Sequence, residues 1–321
     1  MSLIKMGVAS IFLLAGSFVQ AEETFPNKNI HLFVPFSAGS QTDIFARWIG
    51  EKLFDSWGKQ VIIDNRPSAG GVVASQFVLE ANSDGHTMMM VSTGHAGNAS
   101  LYAKLPYDTV RDFAGVTQIA SVPNVLLVMP GLGVKTLKDF LTLAKSRSGN
   151  MNYSHAGIGS GTQINGEMLK LAAGFKATQI PYKGAPDALN NLIGGSVEFT
   201  FSPLIVAAGQ LKAGRVLALG VSTISRSPLF PDIPTIAEAG LSGFDYDQWY
   251  GLLVAAKTPR RVVNAVNKEV VRILNLADIK ERMLSQGAVS KASTPEAFDT
   301  FIRSEVKRFA PIIEAAGIRI N

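Results

Sequence analysis

From residue 30 onward, short runs rich in β-branched and aromatic residues alternate with longer stretches whose apolar positions recur every three or four residues. That switch between period 2 and period 3.6 marks βαβ units, so the expected class is α/β with a largely parallel sheet. Ile30 to Phe36 reads as a strand, Ser37 to Gln41 as a small polar loop, and Thr42-Asp43 as the opening of a helix. Its apolar face includes Ile44, Ile49 and Leu53. Val61 to Ile63 is the next strand. Arg66 to Gly71 is a turn before a helix from Val72 to Leu79, and Thr87 to Val91 is a third strand with Ser92-Thr93-Gly94 at its tip.

The pattern restarts at Val125 to Met129. Thr136 and Asp139 have capping-box spacing at the head of a helix reaching Lys145. A strand from Met151 to Ser154 leads into a glycine-rich loop, His155 to Gly161, with Thr162 as the expected N-cap of a helix to Ala173. Strands over 179–181, 197–201 and 216–221 alternate with helices over 186–193 and 203–213. Ser225 to Pro234 reads as a connector because it holds Pro228, Pro231 and Pro234. Trp249 to Ala255 is strand-like, Thr258-Pro259 opens a helix to Leu276, and a final helix starts near Pro295. This tail has too few strands for a third domain and is expected to pack back onto the first unit. Two lobes follow, 22–122 plus 225–321 and 123–224. The chain crosses between them near Ser121 to Asn124 and Ser222 to Arg226, leaving a cleft.

Of 321 residues, 47% are hydrophobic and 17% charged, which suits a large buried core and excludes a disordered chain. The net charge of +5 is not gathered into any Lys or Arg run, so nucleic acid is not an expected partner, and a mild attraction for anions is the fairer reading. The lack of cysteine removes disulfides, thiolate metal sites, a cysteine nucleophile and a lipid-modified cysteine. At the N-terminus, Lys5 precedes an apolar stretch from Ile11 to Val19 that ends in Val19-Gln20-Ala21. This is the pattern of a secretory signal peptide, residues 1–21, cut after Ala21. No later segment approaches about 18 uninterrupted apolar residues, so an exported, soluble protein of the bacterial periplasm is expected.

Both lobes contain the same local device, a strand ending in a loop of small residues that opens a helix. In the first lobe it is formed by Phe36, Ser37, Ala38, Gly39, Ser40, Gln41 and Thr42; in the second by His155, Ala156, Gly157, Gly159, Ser160, Gly161 and Thr162. Small side chains admit a ligand to the backbone, and free N–H groups at a helix N-terminus favour a carboxylate. One such loop could serve only as a tight turn. Two, at the carboxyl ends of strands on facing lobes, point to a ligand cleft.

The run Gly157 to Thr162 misplaces the third glycine of a dinucleotide fingerprint, and no phosphate-loop, zinc-hydrolase or serine-elbow motif occurs. No two of His31, His86, His95 and His155 have metal-ligand spacing on one helix or turn, so no metal is expected. His95 and His155 lie on the small-residue loops, where either could donate to a ligand or simply face solvent. Lys183 could add a charge to the cleft, and Trp249 and Tyr250 read as core.

Taken in order, these landmarks resemble one family. Pro35-Phe36 with Thr42-Asp43, Asn65-Arg66-Pro67 with Ala69-Gly70-Gly71, Leu105-Pro106-Tyr107-Asp108, and Pro181-Tyr182-Lys183-Gly184 carry the likeness, with Pro231 to Thr235 and Glu238-Ala239-Gly240. Across nearly all of the mature chain they are similar to the periplasmic substrate-binding receptors of tripartite tricarboxylate transporters, the Bug receptors. The resemblance implies a two-lobed, type II-like periplasmic binding protein that closes on a small organic carboxylate, a di- or tricarboxylate or an aromatic acid. It implies delivery to membrane permease subunits, a monomer, and no metal, cofactor or catalytic residue. It places ligand contacts on residues 36–42 and on the His155 to Thr162 loop, with Ser92, Thr93 and His95 along the side of the cleft and Tyr182 and Ser202 beside them.

The chain departs from the family pattern at several of these positions. Ala38, Gly39, Ser40 and Gln41 stand where a proline followed by glycines is common, His155 where a small residue is usual, and Gln163 where histidine is frequent. Ser202 replaces a frequent aspartate, which removes a partner for a ligand ammonium and makes an amino acid a less expected ligand. Two alternatives stand beside this reading. One is an exported α/β enzyme using a cleft histidine as acid or base; the other is a receptor that feeds a sensor kinase.

Overall fold

A computed structural model describes residues 25–320 apart from Ser68 and Gln286. The expected signal peptide, residues 1–21, lies outside the described residues. In the first sector, β1 (Ile30–Val34) runs parallel between β2 (Val61–Asn65) and β3 (Thr87–Ser92). The crossovers are α1 (Gln41–Trp57) and α2 (Val72–Glu80), and α3 (Gly94–Leu101) follows β3 at once. A 16-residue strand, β4 (Phe113–Val128), leads into the second sector. There α4 (Leu137–Ser146), β5 (Asn152–His155), α5 (Gly161–Ala173), β6 (Thr178–Pro181) and α6 (Ala185–Ile193) follow. The sector closes with β7 (Phe199–Pro203), α7 (Leu204–Lys212) and β8 (Leu217–Val221). The chain returns through β9 (Asp247–Ala255), α8 (Arg260–Leu274), α9 (Ala277–Ser285), β10 (Val289–Ser290) and α10 (Pro295–Ala316).

The strands form one sheet in the order β2-β1-β3-β9-β4-β7-β5-β6, with β8 and β10 also pairing on β4. It is mixed rather than largely parallel. The flanks, β2-β1-β3 and β7-β5-β6, are parallel; β9 and β4, which carry the chain between the sectors, are antiparallel to each other and to their outer neighbours. Strand β4 pairs with β9 as far as Pro123, opposite Asp247, and from Asn124 onward with β7 and β8. A proline lacks the N–H a continuous ladder needs, and here it falls where the partner strand changes. The sequence pattern restarts only at Val125, just past that proline, so only the second half of this strand is expected from it.

Period 2 sorts the side chains into separate cores. Met88 and Met90 of β3 join Phe45, Ile49 and Leu53 of α1 and Val266 and Val270 of α8 on one face, while Met89 and Val91 join Phe298 and Ile302 of α10 on the other. In β4, Val125 and Leu127 pack with Leu189 and Leu204, and Leu126 and Val128 belong with Phe140 and Phe199. The tail packs more widely than expected, since α10 touches α3 and β4 but also α5 of the second sector. It is fastened to β9 by Trp249, whose indole N–H donates to Glu305 at 2.9 Å, and Arg308 donates to the same carboxylate at 3.0 Å.

Candidate functional site

The two small-residue loops are built alike where they cap their helices. Gly39-Ser40-Gln41-Thr42-Asp43-Ile44 matches Gly159-Ser160-Gly161-Thr162-Gln163-Ile164. The glycines have φ of 78° and 77°, and the N-cap serines have φ/ψ of −66°/158° and −69°/152°. Ser40 Oγ accepts from the Asp43 N–H at 3.3 Å, and Ser160 Oγ accepts from the Gln163 N–H at 3.2 Å. In return Asp43 accepts from the Gly39 N–H at 2.9 Å, and Gln163 from the Gly159 N–H at 2.7 Å. The N-cap of α5 is therefore Ser160 rather than the expected Thr162, because Ser160 alone is extended while Thr162 is already helical; Thr162 Oγ1 instead accepts from the Ala156 N–H at 2.9 Å.

These caps satisfy the third N–H of each helix and leave the first two without intrahelical acceptors, those of Gln41 and Thr42 and of Gly161 and Thr162. Both sets open on one narrow cavity that is partly open to solvent. The first loop lines it with Phe36, Ser40, Gln41 and Thr42, the second with Ala156, Ser160, Gly161 and Thr162. Ser92, Gln248 and Tyr250 form the floor, and Ala185 and Pro203, where α6 and α7 begin, close the far wall. Gln41 is only 2% exposed, yet neither its amide oxygen nor its amide nitrogen has a hydrogen-bond partner among the described residues. A buried amide left unmatched in this way costs about 1–3 kcal/mol per group, so the position calls for a polar occupant.

The supporting charges are settled away from the cavity. Burial raises the Asp43 carboxyl, but hydrogen bonds from Arg47, the Gly39 N–H and Asn65 outweigh that and hold it below its ordinary value. Arg47 approaches Asp43 at 3.0 Å and Asn65 donates to it at 3.0 Å.

The other residues expected at the site lie elsewhere. Ser37 is at the mouth, where its N–H donates to the Lys183 carbonyl at 3.2 Å across the cleft, and Ala38 and Gly39 face solvent. Gly157 and Tyr182, with Lys183, line a second, outer cavity that shares Phe36 and Ala156 with the first. Thr93 caps α3 and accepts from the Trp249 N–H at 3.1 Å, behind the floor. Ser202 is buried next to Pro203, with its hydroxyl donating to that residue's carbonyl at 3.3 Å.

Neither histidine lines the cavity. His95 packs edge-on to Phe113 at 5.1 Å and stacks near Tyr107, and burial holds it down to about 4. His155 ends β5, fully buried, with Nδ1 2.9 Å from the Gly157 carbonyl; burial brings it to about 4 as well. The acid–base role considered for a cleft histidine has no residue in the cavity to carry it.

Sequence reasoning missed Gln248, Tyr250, Ala185 and Pro203. The signal for the first two was present in Asp247-Gln248-Trp249-Tyr250: in a strand, positions two apart share a face, so Gln248 marks the polar side and takes Tyr250 with it, while Trp249 turns to the core.

No helix among the described residues is long and apolar enough to cross a membrane. Among solved structures, Rpa4515 of R. palustris with adipate is 31% identical, with a TM-score of 0.88 over 92% of this chain and 99% of that one. MatC from Rhodopseudomonas palustris with bound malate is 31% identical, with a TM-score of 0.86 over 90% of this chain and 100% of that one. The periplasmic binding protein BugD is 29% identical, with a TM-score of 0.87 over 92% and 99%. The two-lobed α/β fold is thus that of periplasmic binding proteins. The family model for the tripartite tricarboxylate transporter family receptor matches residues 45–318, and the chain belongs to that family of receptors, which are not enzymes.

Proposed function

We propose that this chain is a periplasmic receptor that captures a small organic carboxylate between its lobes and delivers it to the membrane permease of a tripartite tricarboxylate-type transporter. The observation that carries the reading is the pair of matched helix N-termini opening on one cavity, with the unpartnered Gln41 amide between them. The adipate and malate of two similar structures support a carboxylate as ligand. The first N–H groups of α1 and α5 would hold it, with the hydroxyls of Ser40, Thr42, Ser92, Ser160 and Thr162 around it. Ser37, Ala38, Gly39, Gly157, Gly159 and Tyr182 would shape the mouth, and Thr93, His95, His155 and Ser202 would brace the walls from behind.

The proposed lobes are 22–122 plus 225–321 and 123–224. Their hinge would lie where Asn124 and Ser222 exchange hydrogen bonds, at 3.1 and 2.8 Å, and where the Tyr246 N–H donates to the Ser222 carbonyl at 2.7 Å. Residues 1–21 would direct export, and the mature receptor would act as a monomer.

A thermal-shift screen of the mature chain, from Glu22, against mono-, di- and tricarboxylates, aromatic acids and amino acids tests the reading. A ligand that binds only the folded state raises the melting temperature by mass action, and at least one acid is expected to do so. Gln41→Glu keeps the shape and suits the first turn of a helix, but sets a negative charge in the cavity. It is expected to fold and to abolish every shift. A flat screen on folded wild-type protein, or undiminished shifts in the variant, would sink the assignment.

A further inference from the structure

Tyr246, Gln248 and Tyr250 stand two residues apart, so the entry to β9 and the strand itself bring their side chains to one face. The three are linked in one direction. The Tyr246 hydroxyl donates to Gln248 Oε1 at 3.1 Å. An amide whose oxygen is engaged in this way turns its N–H groups to the opposite side. There the Gln248 side chain hydrogen-bonds to the Tyr250 hydroxyl. A phenol oxygen accepts and also carries one hydrogen to give. With that oxygen engaged by Gln248, the hydrogen of Tyr250 is left for an occupant of the cavity, which Gln248 and Tyr250 both line.

The surroundings fix this relay. Tyr250 is 2% exposed and packs edge-on to Phe45 of α1, with ring centroids 5.1 Å apart. Tyr246 is fully buried against Phe309 of α10 at 6.0 Å, with the Arg308 guanidinium 5.9 Å over its ring. Burial, with a smaller contribution from Tyr246, pushes the Tyr250 phenol well above its ordinary value despite the hydrogen bond from Gln248, so it keeps its proton at neutral pH. Ser92 lies directly opposite Tyr250 across β3 and β9, which sets two hydroxyls side by side on the floor. The second lobe meets the relay at Gly161. A Cβ there would overlap Gln248 Oε1 and the Tyr246 hydroxyl, so the first turn of α5 rests on the same three side chains.

From this geometry, and resting on the carboxylate-receptor reading above, we infer that Tyr250 is a ligand-binding residue whose hydroxyl donates to the bound carboxylate. Gln248 and Tyr246 are positioning residues that turn its hydrogen toward the cavity. Hydrogen bonds linked in series polarise one another, which strengthens the terminal donor. Without the Tyr246 hydroxyl the Gln248 amide is free to turn over, and its carbonyl then accepts from Tyr250 and draws the hydrogen away from the ligand. The contact is made to the gripped carboxylate alone, so it serves an acid whatever its far end carries.

A double-mutant cycle in ligand affinity tests the relay, read by calorimetry on the mature chain with malate, adipate, benzoate and any other acid that raises the melting temperature in the thermal screen. Tyr250→Phe keeps the ring against Phe45 and is expected to weaken binding by about tenfold or more, the effect of one hydrogen bond to a charged group. Tyr246→Phe, which leaves the cavity lining unchanged, is expected to weaken it several-fold. The two together are expected to bind within about threefold of Tyr250→Phe alone, because the first hydroxyl acts only through the second. Circular dichroism and urea titration without ligand confirm that each variant is folded; should Tyr250→Phe fail to fold, Tyr246→Phe decides alone. Wild-type affinity in either folded single variant, or losses that multiply in the double variant, overturns the relay and leaves the receptor reading standing. Silence of the unsubstituted protein toward every acid overturns both.

Discussion

His95 and His155 are held neutral chiefly by removal from water, and this makes the stability of the molecule fall as the solution is acidified. Both titrate near 4 when folded, against about 6.5 in an unfolded chain. Above pH 6.5 neither state binds a proton at these sites and the stability is fully present. As pH falls from 6.5 toward 4 the unfolded chain takes up protons that the folded protein refuses, and about 3 kcal/mol per histidine is lost. Urea unfolding at pH 7.5 and at pH 4.5 measures the decline. Because carboxylates titrate over the lower part of that range, His95→Phe, which fits the ring cluster with Tyr107 and Phe113, is expected to remove part of the slope. A slope unchanged by the substitution would show that His95 is not its source. Both residues are read from the sequence as loop positions beside small, polar neighbours, whereas His95 lies in α3, enclosed by aromatic rings, and His155 is the last residue of β5. Burial of this kind is decided by residues far away in sequence, which is why neither their place in an element nor their environment was legible.

At the scale of elements, the loops and the helices they open were readable because the signals are local: a glycine, a hydroxyl cap and a side chain three residues on. Helix α3 was not, since Gly94-His95-Ala96-Gly97-Asn98 offers neither apolar period nor strong propensity. Its reason for being is tertiary. A methyl group added at Gly94 would overlap the Gly159 carbonyl oxygen, so α3 and the second loop touch backbone to backbone across the cleft. Gly94→Ala is compatible with a helix but not with that contact. It is expected to favour separated lobes and to weaken ligand binding by about tenfold or more while leaving the midpoint of unfolding without ligand close to wild type. Calorimetry and a urea titration check the two halves of the statement, and wild-type affinity in the variant would mean that the contact plays no part in binding.

For the molecule as a whole, the sheet gives continuity and α10 gives closure. Strand β4 belongs to both sectors, with its partners changing at Pro123, and α10 lies over α3 and α5 at once. The anchor of that helix is the Trp249 indole on the buried Glu305, with Arg308 on its other oxygen. Glu305→Ala leaves a buried N–H without an acceptor and is expected to lower stability by about 2 kcal/mol, read by urea unfolding. A loss below the precision of the titration would place the anchor elsewhere. The α/β class and the two-lobed plan were legible because the βα alternation runs twice along the chain. The antiparallel centre was not, because a strand that crosses between sectors has no local mark except a proline that reads as its end.

The likeness of the two loops has a bearing on stereochemistry. A planar carboxylate gripped from both sides by equivalent backbone groups presents no handedness to either. At the matched positions the twins differ most at Gln41, whose counterpart is Gly161, so the first loop is the one that can read the two sides of an acid differently. A Cβ at Gly161 would run into the Gln248 amide, to which the Tyr246 hydroxyl donates, so matching the loops from that side needs Gln248 to move. A receptor carrying Gln41→Gly is expected to discriminate less between left- and right-handed forms of one acid, with the remaining chiral lining still telling them apart.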